Sequence, residues 1–310
     1  MYVAGRLGLI SGNSTKIQDV FSITADTAAN LDALSTTGWD LLIGKSRVNT
    51  NSWIWRDSAR GLSNTLASDS TAAQGSFITY AGGLGSGNAL LLRFKQISKF
   101  CCAVAYTGTG DSDFGRTVAH PLGIAPGFIL IKKTSASDMW NVLARDGAGT
   151  KSVWILSGGL QATNAALSTA STSYESTFNS TTFTPAIVNN GNTISVNYIA
   201  YLFAHDPDTT NGLIQCFGFT TDGSGNASVT LGWEPQCVLF KATTTTGNWI
   251  FLDQSRLWWS SGADYTLAMN TTAGDGVTDY GTPTSTGITF SGLSASQSYI
   301  GMAIRKGPMT

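Results

Sequence analysis

The stretch Phe128-Ile129-Leu130-Ile131-Lys132 is a short apolar run that ends in a lysine, and Trp140 follows that lysine eight residues later. The same combination occurs in three places along the chain. The three copies are residues 41–45 (LLIGK) with Trp53, residues 128–132 (FILIK) with Trp140, and residues 237–241 (CVLFK) with Trp249. Because the spacing recurs where the surrounding sequence differs, it indicates an internal repeat. We expect Lys132 and Lys241 to end equivalent strands, and Trp140 and Trp249 to occupy equivalent buried positions; Lys45 and Trp53 are the landmarks of the first copy.

The repeat has the length of a domain. Lys132 lies 87 residues after Lys45, and Lys241 lies 109 residues after Lys132, whereas the units of solenoid proteins are much shorter. Polar, turn-rich segments at residues 95–99 and 206–212 separate the copies. The predicted organisation is an N-terminal arm at residues 1–18 and three modules at residues 19–99, 100–208 and 209–310.

Each copy has the sequence pattern of β-structure. Runs of apolar and β-branched residues alternate with clusters of Gly, Asn, Ser, Thr and Asp, and only residues 27–34 look helical. Many short strands in about 100 residues are typical of an antiparallel two-sheet sandwich. We therefore predict an all-β chain of three tandem antiparallel β-sandwich modules, jelly-roll-like in type. Three such modules in a row would form a rod with small faces between neighbours.

The charge balance excludes several kinds of partner. Charged residues make up 12% of the chain, and 18 Lys and Arg face 19 Asp and Glu, for a net charge of −1. A protein that binds nucleic acid usually carries a basic surface, so nucleic acid is not an expected partner. Near neutrality also leaves little repulsion between copies, which suits a protein that works within an assembly.

The ends and apolar runs of the sequence bear on its compartment. Residues 1–6 (MYVAGR) lack the basic start and apolar run of a signal peptide, and no segment has the roughly 20 apolar residues that cross a bilayer. We expect synthesis in the host cytoplasm, no export by the common route and no membrane insertion.

Several segments of the chain resemble a known family. They are residues 106–110 (YTGTG), 120–123 (HPLG), 53–61 (WIWRDSARG) and 249–256 (WIFLDQSR), together with the Lys and Trp landmarks. These segments are similar to a repeated module of bacteriophage tail-fibre and virion proteins, especially from phages of aquatic bacteria, over most of the chain. The resemblance implies a displayed virion protein, commonly oligomeric, with a trimer favoured. It implies no shared active site, and Ala144 stands in the second copy where the others have Asp57 and Asp253.

Residues suited to catalysis are scarce. The chain has two glutamates and two histidines, His120 and His205. With so few histidines, we expect neither a His-rich metal site nor a Ser-His-Asp triad. Asp111 with Asp113 and Asp206 with Asp208 have cation-loop spacing, but turn hydrogen bonds are the preferred interpretation. We predict no enzyme activity, no cofactor and no metal, and a structural ion pair for Asp57 with Arg60 and for Asp253 with Arg256. Aspartates could still supply the two carboxylates of a glycosidase.

Features found in one copy alone are candidates for binding. Trp258 and Trp259 have no counterpart in the other copies, and adjacent residues of a strand cannot face the same side. At least one of them is expected at the surface, where it would stack on a sugar or contact another subunit; packing inside the chain is the alternative. Tyr174 and Glu175 form a weaker candidate of the same kind, and the N-terminal arm could dock on a sister subunit.

Three functions remain open from the sequence. The leading hypothesis is a phage tail-fibre or tail-tip adhesion component that contacts the host surface through its glycans. The second is a capsid decoration or head-fibre protein with a mechanical role, and the third is a polysaccharide depolymerase. Other virion proteins and further copies of the chain, as a homo-oligomer, are the expected partners, and the virion is the expected location.

All four cysteines should be free thiols. Cys101, Cys102, Cys216 and Cys237 include no C-x-x-C pair, and Cys237 stands where the other copies have Leu41 and Phe128. Such a position asks for an apolar side chain, not for a metal ligand or a disulfide partner. Thiol titration under denaturing, non-reducing conditions should therefore count four free sulfhydryls, and a count of two or fewer would contradict the prediction.

Overall fold

The computed structural model describes residues 15–111, 116–145, 153–155, 168–169, 178–185, 191–259, 262 and 264–309. Within these residues each copy of the repeat forms one principal antiparallel sheet. The all-β antiparallel sandwich fold predicted from the sequence is confirmed. The copies differ mainly in the layer that covers the outer face of this sheet.

The first repeat covers the outer face of its sheet with helices. Its elements are α1 (Ile17–Val20), β1 (Phe21–Thr27), α2 (Ala28–Asp32), β2 (Leu41–Ser46), β3 (Ile54–Asp57), β4 (Asn64–Thr65), β5 (Gly75–Ser76), α3 (Tyr80–Leu84) and β6 (Asn88–Phe94). The principal sheet has the order β1-β6-β2-β3. Thr27 and Thr79 cap α2 and α3, each accepting a backbone N–H with its side-chain oxygen. The two helices bury Leu31, Tyr80 and Leu84 against the sheet.

The second repeat has a six-stranded principal sheet and a small second sheet. Its elements are β7 (Cys101–Thr107), β8 (Val118–Ala119), β9 (Pro126–Lys133), β10 (Asn141–Arg145), β11 (Val153–Ile155), β12 (Ser168–Thr169), β13 (Thr182–Phe183) and β14 (Asn197–Ala204). The principal sheet has the order β7-β14-β9-β10-β11-β12, and β8 pairs with β13. Tyr106 packs against Tyr198 and Phe183, so the aromatic rings join the two sheets.

The third repeat is a two-sheet sandwich. Its elements are β15 (Ile214–Thr220), β16 (Ala227–Thr230), β17 (Pro235–Ala242), β18 (Ile250–Asp253), a 3-10 turn (Gln254–Arg256), β19 (Asp264–Ala268), β20 (Gly276–Thr278), β21 (Gly281–Thr284), β22 (Gly287–Phe290) and β23 (Ser298–Arg305). The principal sheet has the order β15-β23-β17-β18-β19-β20, and β16-β22-β21 forms the second sheet. Phe217, Phe240 and Phe290 fill the space between them.

The landmarks of the repeat occupy equivalent positions, as predicted. Lys132 and Lys241 are the penultimate residues of β9 and β17. Trp140 and Trp249 directly precede β10 and β18, and both tryptophans are fully buried. The first repeat follows the same plan, with its lysine at the end of β2 and its tryptophan before β3.

The three principal sheets share one central core. Successive residues of a strand point to opposite faces, and the inner faces of the sheets carry Ile43, Leu130 and Leu239. These residues belong to one contiguous buried cluster that includes all three repeats, and they line an apolar void of about 30 Å³ between the sheets. The expectation of a rod with small faces between modules is therefore wrong, because the largest buried cluster crosses the repeat boundaries.

The end of the predicted N-terminal arm belongs to the fold. Ile17 is fully buried, its N–H donates to the Met309 sulfur, and the Gln18 amide donates to the Met309 carbonyl oxygen. Residues 1–14 lie outside the described residues. The four cysteines are buried and free, as predicted. In the described part of the chain, no helix is long and apolar enough to cross a membrane.

Truncation of a landmark tryptophan should weaken the whole chain. Trp140→Ala removes a fully buried indole, and such a change typically costs about 3–5 kcal/mol. Because the central core is shared, we expect a single unfolding transition at a lower denaturant midpoint. Trp259→Ala is the matched control: its side chain is 58% exposed, and exposed sites usually change stability by under about 0.5 kcal/mol. An early transition limited to part of the chain would contradict the shared core.

Candidate functional site

The lysine and tryptophan that recur in each copy make contacts between repeats. We call each pair, Lys45 with Trp53, Lys132 with Trp140 and Lys241 with Trp249, a Lys–Trp clamp. The Lys45 ammonium donates to the Thr272 carbonyl oxygen of the third repeat at 3.0 Å, and also to Ser46 and Asn51 of its own repeat. Lys132 donates to Thr71 of the first repeat at 3.2 Å and to its neighbour Lys133. Lys241 donates to the Gly247 carbonyl oxygen.

Trp53 and Trp140 bind the same neighbouring segments as their lysines, and Trp249 packs on the second repeat. The Trp53 indole N–H donates to the Ala268 carbonyl oxygen of the third repeat at 3.0 Å. The Trp140 indole N–H donates to Ala67 of the first repeat at 2.8 Å. The Trp249 ring packs edge-on against Phe128 of the second repeat at 5.3 Å, and its buried N–H has no acceptor in the described part of the chain. The contacts therefore run in a cycle, from first to third, second to first and third to second repeat.

Burial changes the acidity of the clamp lysines. All three are at most 1% exposed, and burial lowers the pKa of each to about 8, because removal from water disfavours the ammonium form. A pKa of about 8 still leaves the amine mostly protonated at neutral pH. The protonated form supplies the N–H donors for these carbonyl oxygens.

Two ion pairs reinforce the junctions between repeats. Arg60 pairs with Asp57 at 2.6 Å, and the Tyr201 hydroxyl of the second repeat donates to the same carboxylate at 2.7 Å. Arg256 pairs with Asp253 at 2.6 Å. The predicted structural role of these pairs is confirmed. A further carboxylate, Asp275, accepts from Arg256 and from Arg47, and so links the third repeat to the first.

The two tryptophans found in one copy alone have different environments. Trp258 is fully buried and donates its indole N–H to the Gly281 carbonyl oxygen. It belongs to the core of the third repeat, so for Trp258 the alternative of packing inside the chain is the one observed, and Trp258 is not a binding residue. Trp259 is 58% exposed and remains available at the surface. Tyr174 and Glu175 lie outside the described residues.

The residues considered for catalysis take part in structural hydrogen bonds. The His120 ring nitrogen Nδ1 accepts from the Leu122 N–H, and the His205 Nδ1 accepts from the Cys216 N–H. Asp206 and Asp208 accept backbone N–H groups of their own turn, as predicted. Asp113 lies outside the described residues. The described residues contain no group of three His, Cys, Asp or Glu side chains that could hold a metal ion.

Two open cavities lie on the outer sides of the repeats. One, of about 320 Å³, is in the first repeat beside β4, β5 and α3, and its walls are largely apolar. The other, of about 250 Å³, lies between the two sheets of the third repeat at the end of β17. We call the second one the Lys241 cavity. Its lining residues are Phe240, Lys241, Ala242, Thr245, Thr246, Gly247, Asn248, Ile250, Tyr280, Gly292, Leu293, Ser294 and Tyr299.

A family model described as a domain of unknown function, DUF7483, matches residues 96–303. The match covers about two thirds of the chain. The chain belongs to the DUF7483 family. The DUF7483 match includes the second and third repeats and leaves the first repeat outside. No curated protein matches the sequence.

Sequence reasoning did not identify the Lys241 cavity of this DUF7483 protein. Lys241 was recognised only as a landmark of the repeat, and Tyr280 and Tyr299 were not singled out. The second sheet of the third repeat combines β16 with β21 and β22, which lie about 50 residues further along the chain. The cavity depends on how this second sheet sits over the principal one.

A buried carboxyl group lies next to this second sheet. The Asp264 side chain is buried; one of its oxygens accepts from the Tyr280 N–H at 3.2 Å, and the other has no partner in the described part of the chain. Burial, together with the nearby charge of Asp279, raises the pKa of Asp264 to about 6. The carboxyl is therefore protonated in the folded chain under mildly acidic conditions.

Asp264 should make the folding stability fall as the pH rises. The folded carboxyl holds its proton up to about pH 6, whereas the unfolded one loses it near pH 4, so its contribution is full below about pH 4 and is lost towards pH 6. The free energy of unfolding of the wild type, minus that of Asp264→Asn, should decrease over this range in urea titrations. Asp222→Asn is the control, because backbone N–H groups lower the pKa of the exposed Asp222. The free energy of unfolding of the wild type, minus that of Asp222→Asn, should be constant above pH 5. If the same quantity for Asp264→Asn were also constant between pH 4 and 6, the prediction would be contradicted.

Proposed function

We propose that this chain is a structural protein of a bacteriophage particle, a tail-fibre or tail-tip component that contacts glycans of the host surface. The observation that carries the proposal is the cyclic set of Lys–Trp clamps around one shared core. Such a framework holds its outer layers in fixed positions, and preorganised surfaces lose less entropy when they bind. The similarity of the repeat to phage tail-fibre and virion modules supports the same assignment.

The division between common and variable parts supports a display role. The clamps and principal sheets recur in the copies, whereas the outer layers are helices in the first repeat and a second sheet in the third. Binding residues are commonly carried on variable segments held by a rigid scaffold. The exposed Trp259 has no counterpart in the other copies, and it lies in the connection between the 3-10 turn and β19 of the third repeat.

The proposed partners are other virion proteins, host glycans and further copies of the chain. Self-association as a trimer is part of the proposal through the family resemblance. The need to stiffen a flexible rod is not an argument for self-association, because the repeats of one chain already share a core. We propose that the protein acts without catalysis, which agrees with the structural hydrogen bonds of both histidines.

Two measurements test the proposal. Immunogold labelling of particles from the source culture should place the protein on the virion, at the tail rather than the head. The purified chain should bind intact host cells and a subset of polysaccharides on a glycan array, and Trp259→Ala should weaken that binding by roughly the 1–3 kcal/mol of a lost aromatic contact. Met139→Ala is the matched control, since Met139 is an exposed apolar residue of the second repeat.

The alternative functions give different results in the same experiments. Label at the head without glycan binding would favour a capsid decoration or head-fibre protein. Release of reducing ends from host polysaccharide would identify a depolymerase. Light scattering of the same variants shows whether Trp259 is instead a subunit contact, because Trp259→Ala would then shift the mass towards the 32.5 kDa monomer. Unlabelled particles together with no cell binding would overturn the proposal.

A further inference from the structure

The larger of the two open cavities, with a volume of about 320 Å³, lies in the first repeat. We call it the α3 cavity, because helix α3 forms one of its walls. The other walls come from the start of β3, from β4 and from the segment around β5; together the lining residues are 52–54, 65–67, 72–73, 75–79 and 82–83. Small-ligand sites typically have volumes of about 300–1,000 Å³, so the α3 cavity has room for one compact ring.

Small residues keep the α3 cavity open. Ala72, Ala73 and Gly75 line it. The backbone of Gly75 lies outside the left-handed region that favours glycine, and a Cβ atom there would lie 3.6 Å from Thr65 Oγ1, an ordinary contact distance. Neither conformation nor packing therefore requires glycine at this position of β5. A glycine within a strand often marks a place where a ligand or another backbone approaches closely, so Gly75 points to a bound molecule.

An aromatic ring in a fixed position forms part of the wall. Phe77 is half-buried and lines the α3 cavity. The Arg56 guanidinium stacks on the Phe77 ring, with Cζ 3.5 Å from the ring centroid, and the Tyr80 ring packs edge-on against Phe77 at 5.1 Å. Arg56 is held in turn, because its Nε donates to the Leu62 carbonyl oxygen at 2.6 Å. The ring is therefore preorganised, and a ligand that packs on it loses less binding energy to ordering.

The chemistry of the walls suits a neutral ligand. Ile54 and Ile78 contribute apolar surface, and Ile78 is 82% exposed at the surface of the chain. Thr65 and Ser76 contribute hydroxyl groups, and every side chain among the described lining residues is uncharged. A carboxylate or an ammonium would lose its hydration between these walls without gaining an opposite charge. A ring with one apolar face and several hydroxyl groups has the matching chemistry.

We propose that the α3 cavity binds one neutral sugar residue of a surface polysaccharide, with the C–H face of the pyranose ring against Phe77. This inference rests on the function proposed above and names its glycan class and a contact in the first repeat. The hydroxyl groups of the sugar bond to Thr65 and Ser76. Small-ligand sites commonly combine apolar walls with a few polar groups that fix orientation. A uronic acid would place its carboxylate among uncharged side chains, so it binds more weakly.

NMR titration of the full chain with paired probes tests this assignment. The probes are the methyl glycosides of glucose, galactose and mannose, each compared with the methyl glycoside of its own uronic acid. At least one neutral glycoside should bind on the order of tenfold or more tightly than its uronate, because of the cost of burying the carboxylate. Equal binding within every pair, tighter binding of a uronate, or no binding of any neutral glycoside would overturn the proposal.

Two variants narrow the cavity from different wall segments. Gly75→Val adds a branched side chain in β5, and Ala72→Phe adds a ring at an exposed position; each should weaken the neutral glycoside on the order of tenfold or more through steric clash. Valine suits a strand better than glycine does, so the unfolding midpoint of Gly75→Val should not fall. Gly223→Val is the matched control: Gly223 also lies outside the left-handed region, and a Cβ atom there has no described neighbour within 4 Å. It should bind like the wild type.

The outcomes separate this inference from the proposed function. Wild-type affinity in both Gly75→Val and Ala72→Phe would overturn the α3 cavity as the site, and Ala72→Phe alone decides if Gly75→Val does not fold. If the protein still bound host cells in that case, the adhesion function would stand and only this contact would be wrong. If a neutral glycoside were bound while host cells were not, the site would stand without the adhesion role.

Discussion

The hydrogen bonds from a buried lysine and the following tryptophan to the main chain of a neighbouring repeat are the contacts on which the rest of the structure depends. Lys45 and Trp53 bind carbonyl oxygens four residues apart, those of Thr272 and Ala268, and Lys132 and Trp140 bind those of Thr71 and Ala67 in the same way. Those acceptors lie at the end of β19 and in the turns that follow β4 and β19, and the Ala67 and Ala268 carbonyl oxygens each also accept a backbone N–H of their own turn. The clamps of the first and second repeats add side-chain donors from a neighbouring repeat, and the third repeat contacts the second through the packing of Trp249 on Phe128.

The clamp explains why a charged side chain occupies the interior. Burial of an ammonium without partners would cost several kcal/mol, and the lowered pKa of the three lysines reflects that cost. Hydrogen bonds to a charged group each return about 1.5–3 kcal/mol, and one ammonium can satisfy three carbonyl oxygens at once. A tryptophan adds a long apolar ring and one further donor. The pair therefore anchors a polar main-chain segment against an apolar core, which no purely apolar side chain could do.

The shared core separates the constant part of the molecule from the variable part. The inner faces of the three sheets meet at the centre of the molecule. There Ile43, Leu130 and Leu239, one from each repeat, belong to the same buried cluster. Outer faces are free to differ, and they do: α2 and α3 cover the first sheet, whereas β16, β21 and β22 cover the third. The ring of Phe240, at the position of Gly44 in the first repeat, packs against Phe290 of the covering sheet, whereas Tyr80 of α3 packs on Gly44.

The sequence by itself determined the local structure: the strands, their equivalence in three copies, the buried tryptophans, the free cysteines and the Asp–Arg pairs. These follow from short-range patterns, since alternation, turn residues and an eight-residue spacing act within a few residues of chain. Only the tertiary structure decided that the copies surround one core instead of forming a rod and that Trp258 is buried beside an exposed Trp259. The physical reason is that each of these depends on contacts between residues far apart in the chain, such as Lys45 with Thr272, and a repeated pattern is equally compatible with beads in a row and with a closed cycle.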